Sequence, residues 1–454
     1  MSIAKRPSVR RVFFNIRIKI IQTNRSVLPV ILFIFLVFPQ FSFSEEYGCL
    51  FTLDLGNRYR LVERQNLRVR ENGVYRGFLY REYRAFLRTS DTVRGRYKGE
   101  YYLLENMKRN ASLIAKAVDN EYKVSFSIND RGIMLGSDDN PVPIHRGFPA
   151  FSAKPVKAGA SWDVSGSDLV FDSKGNSARV PFLCRYVFRG EETYMNRPVA
   201  VIDAQYALRY DERSYGYKEG SIKGINGSRK SVIMLYRDAA GGIFINSRLK
   251  QRIIYSSGGS EETEGIILTW YNGISASAIE ASDALIADSL NRLKSEPEKD
   301  YTDKAAGGST AGTVGTTDGG TGSVSGSPSL LHDVSVEESE KGLVLKIQNI
   351  HFLPNSPVIL PEEKGRLDSI SSVLKGAEGR MFLVTGHTAD VGSQASQQEL
   401  SVQRAKTIVD ELVKRGFSAN RFMYEGKGSS ESIASNDTKE GRAKNRRVEI
   451  TILY

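Results

Sequence analysis

Asp390 and Arg404, near the C-terminal end of this 454-residue chain, are the two side chains whose types and placement could do chemistry together. A guanidinium offers a planar fork of donors to a carboxylate. An aspartate offers acceptors to an ammonium. Set across a crevice, the two would grip the zwitterionic head of an amino acid, each charge-assisted hydrogen bond contributing about 1.5–3 kcal/mol. This is binding chemistry rather than catalysis. A hydrolase would need a nucleophile beside a base or a raised carboxylate pair. His145 and Cys184 are present, but no local signature surrounds them, and Cys184 reads as a buried thiol on a strand. Two cysteines and four scattered histidines (His145, His332, His351, His387) make no metal cluster. No enzyme activity, metal or cofactor is expected.

Elements at fixed spacing must hold such a pair. Residues 343–352 alternate as a strand and 362–374 read as a helix. Met381–Val384 is an uninterrupted apolar run, the pattern of a strand buried on both faces. It delivers the loop Gly386–Gly392 at its carboxyl end, a common place for ligand sites in α/β sheets. Val402, Ala405, Val409 and Leu412 form the apolar stripe of a second helix, which Gly416 closes. Gln397, Ser401 and Arg404, at i, i+4 and i+7, are expected on one face away from that stripe, with Arg404 turned to the loop. Residues 422–424 and 448–453 supply two more strands. The order strand-helix-strand-helix-strand-strand predicts an α+β domain over 331–454, with helices on one face of a small mixed sheet.

Three stretches carry a family resemblance: Thr-Gly-His-Thr-Ala-Asp-Val-Gly at 385–392, Leu-Ser-Val-Gln-Arg-Ala at 400–405, and the run from Ser435 to Ile450 that contains Asn445-Arg446-Arg447. Together they resemble the OmpA-like family of bacterial envelope proteins, over about a quarter of the chain. The resemblance implies a peptidoglycan partner. A loop Asp and a helix Arg would hold the two ends of a diaminopimelate side chain of the stem peptide. Arg404 matches the family Arg, Asn355 resembles a polar residue lining the same pocket, and Asn445 belongs to the signature before the last strand. The family pattern Thr-Asp-x-x-Gly departs here to Thr388-Ala389-Asp390-Val391-Gly392. Ala389 fills the acid's column, the carboxylate comes one residue late, and Gln397 stands where the family usually has Asn. A shift of one in an extended loop turns a side chain to the opposite side. Either the loop restores Asp390 to the pocket, or the site no longer grips a diaminopimelate ammonium. The wording also resembles spirochaete, especially treponemal, envelope proteins, which are expected to face ornithine in place of diaminopimelate.

The net charge of +11 does not point to nucleic acid. Seven positive charges precede Glu45, the first acid, and removing them leaves +4 over more than 400 residues. That basic stretch, the apolar run Val27–Phe38 and Ser42-Phe43-Ser44 have the three parts of a secretory signal over 1–44. An uncleaved anchor is the alternative. Export to the periplasm or an outer-membrane-associated envelope site is expected. Cys49 and Cys184 could form a disulfide, Cys49 could be lipidated, or both could stay free thiols.

Residues 47–275 read as mainly β, with turns at Asn72-Gly73, Arg131-Gly132, Asn226-Gly227 and Gly241-Gly242. The runs 231–236 and 243–246 read as a hairpin, and 100–117 as one long helix. Breakers over 141–160 suggest a junction between two tandem β-rich units, 45–150 and 151–296; one large open barrel is the alternative. Arginines interleaved with Tyr and Phe between Arg58 and Arg96 are expected to give one aromatic and one charged strand face. Ile279, Ile286, Leu290 and Leu293 mark an amphipathic helix, stopped by Pro297, that would close the preceding domain. Residues 297–330 are rich in Gly, Ser and Thr and read as a flexible linker. The expected function is a non-enzymatic envelope protein linking peptidoglycan to a partner of the N-terminal half. The alternatives are a scaffold with a degenerate pocket and a carrier of lipid or another hydrophobic ligand.

Overall fold

The computed structural model describes residues 49–51, 56–89, 95–108, 116–137, 142–211, 222–295, 331, 333–348 and 350–454. The secretory signal, the stop at Pro297 and the linker lie outside these residues.

Long antiparallel strands make up the N-terminal region: β1 (Arg58–Glu71), β2 (Val74–Thr89), β3 (Arg96–Lys108), then a two-residue β4 (Lys116–Ala117), β5 (Asn120–Ile128), β6 (Met134–Ser137) and β7 (His145–Arg146). They continue as β8 (Ser161–Phe171), β9 (Ser177–Tyr194), β10 (Arg197–Asp211), β11 (Ile222–Tyr236), β12 (Ile243–Tyr255) and β13 (Ser260–Gly273). All but β4 belong to one twelve-stranded sheet, ordered β6-β5-β3-β2-β1-β13-β12-β11-β10-β9-β8-β7. Period-2 alternation drives its curl. Along β12, Ile243, Ile245, Leu249 and Ile253 face in while Asn246, Arg248, Lys250 and Arg252 face out. Inward residues of the whole sheet share one core, which makes a nearly closed barrel.

The division into two tandem units near residue 150 is therefore not how the strands pair. β6 and β7, which flank it, are opposite edges of one sheet. The breakers at 142–151 instead build a plug. Val142, Ile144, Phe148, Ala150 and Phe151 are buried in the barrel core, and the Phe151 amide donates to the Arg131 carbonyl at 2.9 Å. Residues 100–108 are strand, not helix, because Tyr101 and Leu103 alternate inward. Asn72-Gly73 does turn β1 into β2, with φ of +50° and +81°, and the 231–236 and 243–246 runs do pair as a hairpin. Asn226-Gly227 makes no turn and lies inside β11. Cys49 and Cys184 are both unpaired, and burial pushes the Cys184 thiol up to about 12.

After β13 come α1 (Ala276–Ser295), β14 (Val334–Glu338), β15 (Gly342–Gln348), α2 (Glu363–Leu374), β16 (Phe382–His387), α3 (Gln394–Lys414), β17 (Phe422–Gly428), α4 (Lys439–Asn445) and β18 (Arg447–Leu453). Their sheet runs β14-β15-β18-β16-β17-β4. Its far edge, β4, comes from the N-terminal region and pairs parallel to β17. Phe382 and Val384 point into the core under α2 and α3. Leu383, Met423 and Leu453 point the other way, onto Phe86, Tyr102 and Leu104 of the barrel wall. Both faces of β16 are thus covered, as its apolar run predicts.

Helix α1 does not close the barrel. Ile286 and Leu290 enter the same core as Leu331, Leu367 and Ile370 of the C-terminal domain. The Arg380 guanidinium reaches Asp283 of α1 at 2.8 Å. The chain on both sides of the linker therefore belongs to one core.

The arginine-rich strands also depart from a simple two-face split. Arg68 lies over Phe78 at 5.8 Å as a solvated stem should. Arg81 instead points inward and pairs with Glu105 at 3.1 Å. Arg84 is buried beneath the C-terminal domain, 2.7 Å from the buried carboxylate of Glu82.

Candidate binding groove

Helix α3 starts at Ser393, whose hydroxyl accepts from the Ser396 amide at 3.2 Å. It ends at Gly416, in the left-handed region at φ +96°, with the Phe417 amide on the Leu412 carbonyl. Its middle sits hard against the sheet. A Cβ at Gly386 would lie 2.2 Å from the Ser401 carbonyl oxygen, and one at Gly426 would lie 2.1 Å from the Ser401 hydroxyl. These two glycines let Ser401 dock on the strand ends, where its hydroxyl donates to the Gln398 carbonyl at 2.7 Å and accepts from the Gly428 amide at 3.0 Å. Gln397, Ser401 and Arg404 do share a face, but it is the buried face, continuous with Ala405, Ile408 and Leu412.

That docking places Arg404 at the floor of a groove of about 940 Å³, between the loop after β16 and the turn after β15. Arg404 is 8% exposed. Its Nε donates to the Ser356 carbonyl at 3.2 Å, and its guanidinium lies 4.8 Å over the Phe352 ring. Asn355, in the left-handed region at φ +52°, makes the turn that presents that carbonyl. Among the described residues no carboxylate comes within ion-pair distance of Arg404. Burial, with Arg446 beside it, lowers its pKa to about 10.

The sequence-predicted residues divide in two. Asn355, Thr388, Ala389, Gln397 and Arg404 all line the groove. The Thr388 hydroxyl is buried there without a hydrogen-bond partner. Asp390 is exposed outside the groove, and the loop is not remodelled to bring it back. Its carboxylate accepts from the Gln397 amide at 3.0 Å and from the Ser429 hydroxyl at 3.4 Å. Gln397 is thereby occupied, its Oε1 accepting from Ser429. Asn445 is fully buried. Its Oδ1 accepts from the amides of Ile433 and Ala434, and its Nδ2 donates to the Ala434 carbonyl and to Asn436. Asn436 in turn accepts from the Asp390 amide at 3.1 Å. Asn445 thus fixes the loop beside the groove rather than lining it. Sequence reasoning missed Arg446 and Phe352 as groove residues. The signal was there: Arg446 follows Asn445 in the quoted run, and Phe352 ends the alternating stretch.

The groove therefore offers a cationic floor, an apolar wall at Ala389 and Val391, and one lining acid, Glu399, which accepts from Gln403 and makes no ion pair with Arg404. Its floor suits a carboxylate, and Asp390 does not supply an ammonium acceptor beside it.

The barrel interior offers little space by comparison. A cavity of about 40 Å³ remains between Tyr83, Tyr101, Phe126, Phe148 and His145, enough for about three waters and not for an acyl chain. His145 ties the plug to the wall, with Nε2 at 2.8 Å from Glu63 and Nδ1 at 2.7 Å from Asp168. Arg229, beneath them, has its Nη1 2.9 Å from His145 Nε2. Burial opposes charge on His145, but Glu63 and Asp168 outweigh burial and Arg229 and hold its pKa up to about 9. Burial likewise opposes charge on Glu63, yet His145 and Arg229 hold it down at about 2.

Residues 351–446 match the model of the OmpA family. The chain is 40% identical over 93 residues to Outer membrane protein A of Bordetella avium, covering 20% of this chain and 48% of that protein. It is 40% identical over 103 residues to Peptidoglycan-binding protein ArfA of Mycobacterium tuberculosis, covering 23% and 32%. The chain thus spans about half or less of these curated relatives. Among solved structures, an outer membrane protein from Borrelia burgdorferi B31 aligns at 35% identity over 27% of this chain and 97% of that chain, with a TM-score of 0.23. The C-terminal region of this chain carries an OmpA-like domain.

Proposed function

We propose that this is a non-enzymatic, exported cell-envelope protein whose OmpA-like domain associates with peptidoglycan by receiving a stem-peptide carboxylate in the Arg404 groove. One observation carries the reading: a guanidinium buried on the floor of an open groove without a carboxylate partner among the described residues. The relatives named as peptidoglycan-binding support the polymer. The displaced Asp390 favours altered specificity, toward a free carboxylate rather than the zwitterionic end of diaminopimelate. Individual contacts are weak, and the wall's repeating sites raise the effective concentration. The N-terminal barrel then holds a separate envelope partner.

Purified sacculi test this. Wild type is retained, and Arg404→Ala loses about ten- to a hundredfold in affinity. Equal retention of both, or of neither, contradicts the groove. The scaffold reading has its own support in the Gln397 and Ser429 bonds that occupy Asp390; it predicts no retention of wild type. The barrel interior, with its cavity of about 40 Å³, gives the lipid-carrier reading no support.

A further inference from the structure

The charge left after the N-terminal stretch is not spread evenly over the barrel. The outer face of β11 exposes Lys223, Asn226, Ser228 and Lys230, and that of β12 exposes Asn246, Arg248, Lys250 and Arg252. Neither strand contains an acid anywhere along its length. Their register sets Lys230 directly opposite Arg248, Ser228 opposite Lys250 and Asn226 opposite Arg252. Like charges directly opposite weaken the β11–β12 pair, whereas across β12–β13 Lys250 and Arg252 stand opposite Glu264 and Glu262. Acids stand on the neighbouring strands: Asp163 pairs with Arg185 at 3.0 Å, Asp203 lies 3.6 Å from Arg189, and Glu262 lies 3.7 Å from Arg252. Lys230, Arg248 and Lys250 have no carboxylate within ion-pair distance among the described residues.

This wall is also shaped. A groove of about 550 Å³ crosses it, lined by Arg185, Gln205, Lys230, Asn246 and Arg248, with one acid, Asp203, also on its lining. We propose that the β11–β12 wall is a docking surface for a linear anionic polysaccharide. Strands about 4.8 Å apart, with same-face residues about 6.8 Å apart along each, make a lattice of cations that a chain with regularly repeated carboxylates can follow. The amides of Gln205, Asn226 and Asn246 and the Ser228 hydroxyl lie between the cations, where sugar hydroxyls need partners. Two exposed apolar side chains border these cations, Leu183 two residues before Arg185 on β9 and Ile266 opposite Arg248 on β13, so the vesicle arm of the test separates a lipid surface from a polysaccharide. No exposed aromatic ring is there to stack a nucleic-acid base. The surface is separate from the Arg404 groove and does not depend on it.

The test titrates the full chain with polygalacturonate and, in parallel, with vesicles containing phosphatidylglycerol. Wild type binds the polymer, and binding weakens between about 50 and 200 mM salt. Lys230→Glu with Arg248→Glu weakens it about tenfold or more, at an unchanged melting temperature. Lys98→Glu, an exposed cation on β3, leaves it within about twofold. Should the glutamate pair unfold the barrel, Lys230→Gln with Arg248→Gln gives the same comparison. The proposal is overturned by wild-type affinity in the double variant, by an equal loss in Lys98→Glu, by vesicle binding without polymer binding, or by no binding to either. Retention on sacculi by the Arg404 groove reads out separately and is expected to be unchanged in the double variant.

Discussion

Arg404 combines deep burial with an unsatisfied charge, and that pairing makes a double-edged expectation. Arg404→Ala removes a ligand fork but also an uncompensated buried cation. Binding to peptidoglycan should fall while the unfolding free energy, from urea denaturation, changes by less than about 1 kcal/mol. A large loss of stability would instead mark Arg404 as structural. Two buried histidines provide the pH dependence, with opposite signs. His145 has its pKa raised to about 9 by Glu63 and Asp168 against burial and Arg229. Its contribution is complete below the unfolded value near 6.5 and is lost as pH rises through about 9. Melting temperature should fall over that window. His145→Ala should remove the slope and cost about 3–5 kcal/mol, because Glu63 and Asp168 are left buried beside one another. His387 is the reverse. Burial, then Arg447, Lys427 and Lys346, lower its pKa to about 3, so it stays neutral and the unfolded chain binds the extra proton. Stability from this residue is full above about pH 6.5 and is lost as pH falls toward 3. His387→Leu should flatten that acid limb in a melting series.

At the scale of elements, helix α1 gives the sharpest check. Ile286 is fully buried in the core of the OmpA-like domain. Ile286→Ala should cost about 2–5 kcal/mol, and hydrogen exchange should show the loss in β15, β16 and β18 rather than in the barrel strands. The reverse pattern would restore α1 to the barrel. The periodicity of Ile279, Ile286 and Leu290 made the helix and its buried face readable from sequence. It could not name what the face packs on, since an apolar stripe is complementary to any apolar surface. The same limit explains the misread 100–108 segment: Tyr101 and Leu103 alternate as a strand, but a short apolar run without turn residues is ambiguous between the two periods. Asn226-Gly227 was misread for a related reason. A turn dipeptide placed mid-strand has neighbours that satisfy the ladder, and tertiary pairing overrides local preference. In the groove, Arg404, Ala389 and the Asp390 shift were legible because helix spacing and loop parity fix which side a residue faces. The occupation of Asp390 by Gln397 and Ser429 was not, because Ser429 lies 39 residues away.

For the whole molecule, the OmpA-like sheet is a layer between its own helices and the barrel wall. Lys341 reaches Glu121 at 2.5 Å, Arg88 reaches Glu340 at 3.0 Å, and β4 extends the sheet from the barrel side. Leu290 and Leu331, on either side of the linker, share one core. A protease site introduced between 305 and 328 should therefore yield two fragments that co-elute on size exclusion and melt together; separation after cleavage would contradict the shared core. The measurement closest to the central claim is the Nε–H resonance of Arg404 in isotope-labelled protein, followed while stem peptides bearing a free carboxylate are added. A saturable shift, absent with the amidated peptide, is the predicted result. A resonance that stays still while the labelled protein nevertheless binds sacculi would place the contact elsewhere and contradict the groove.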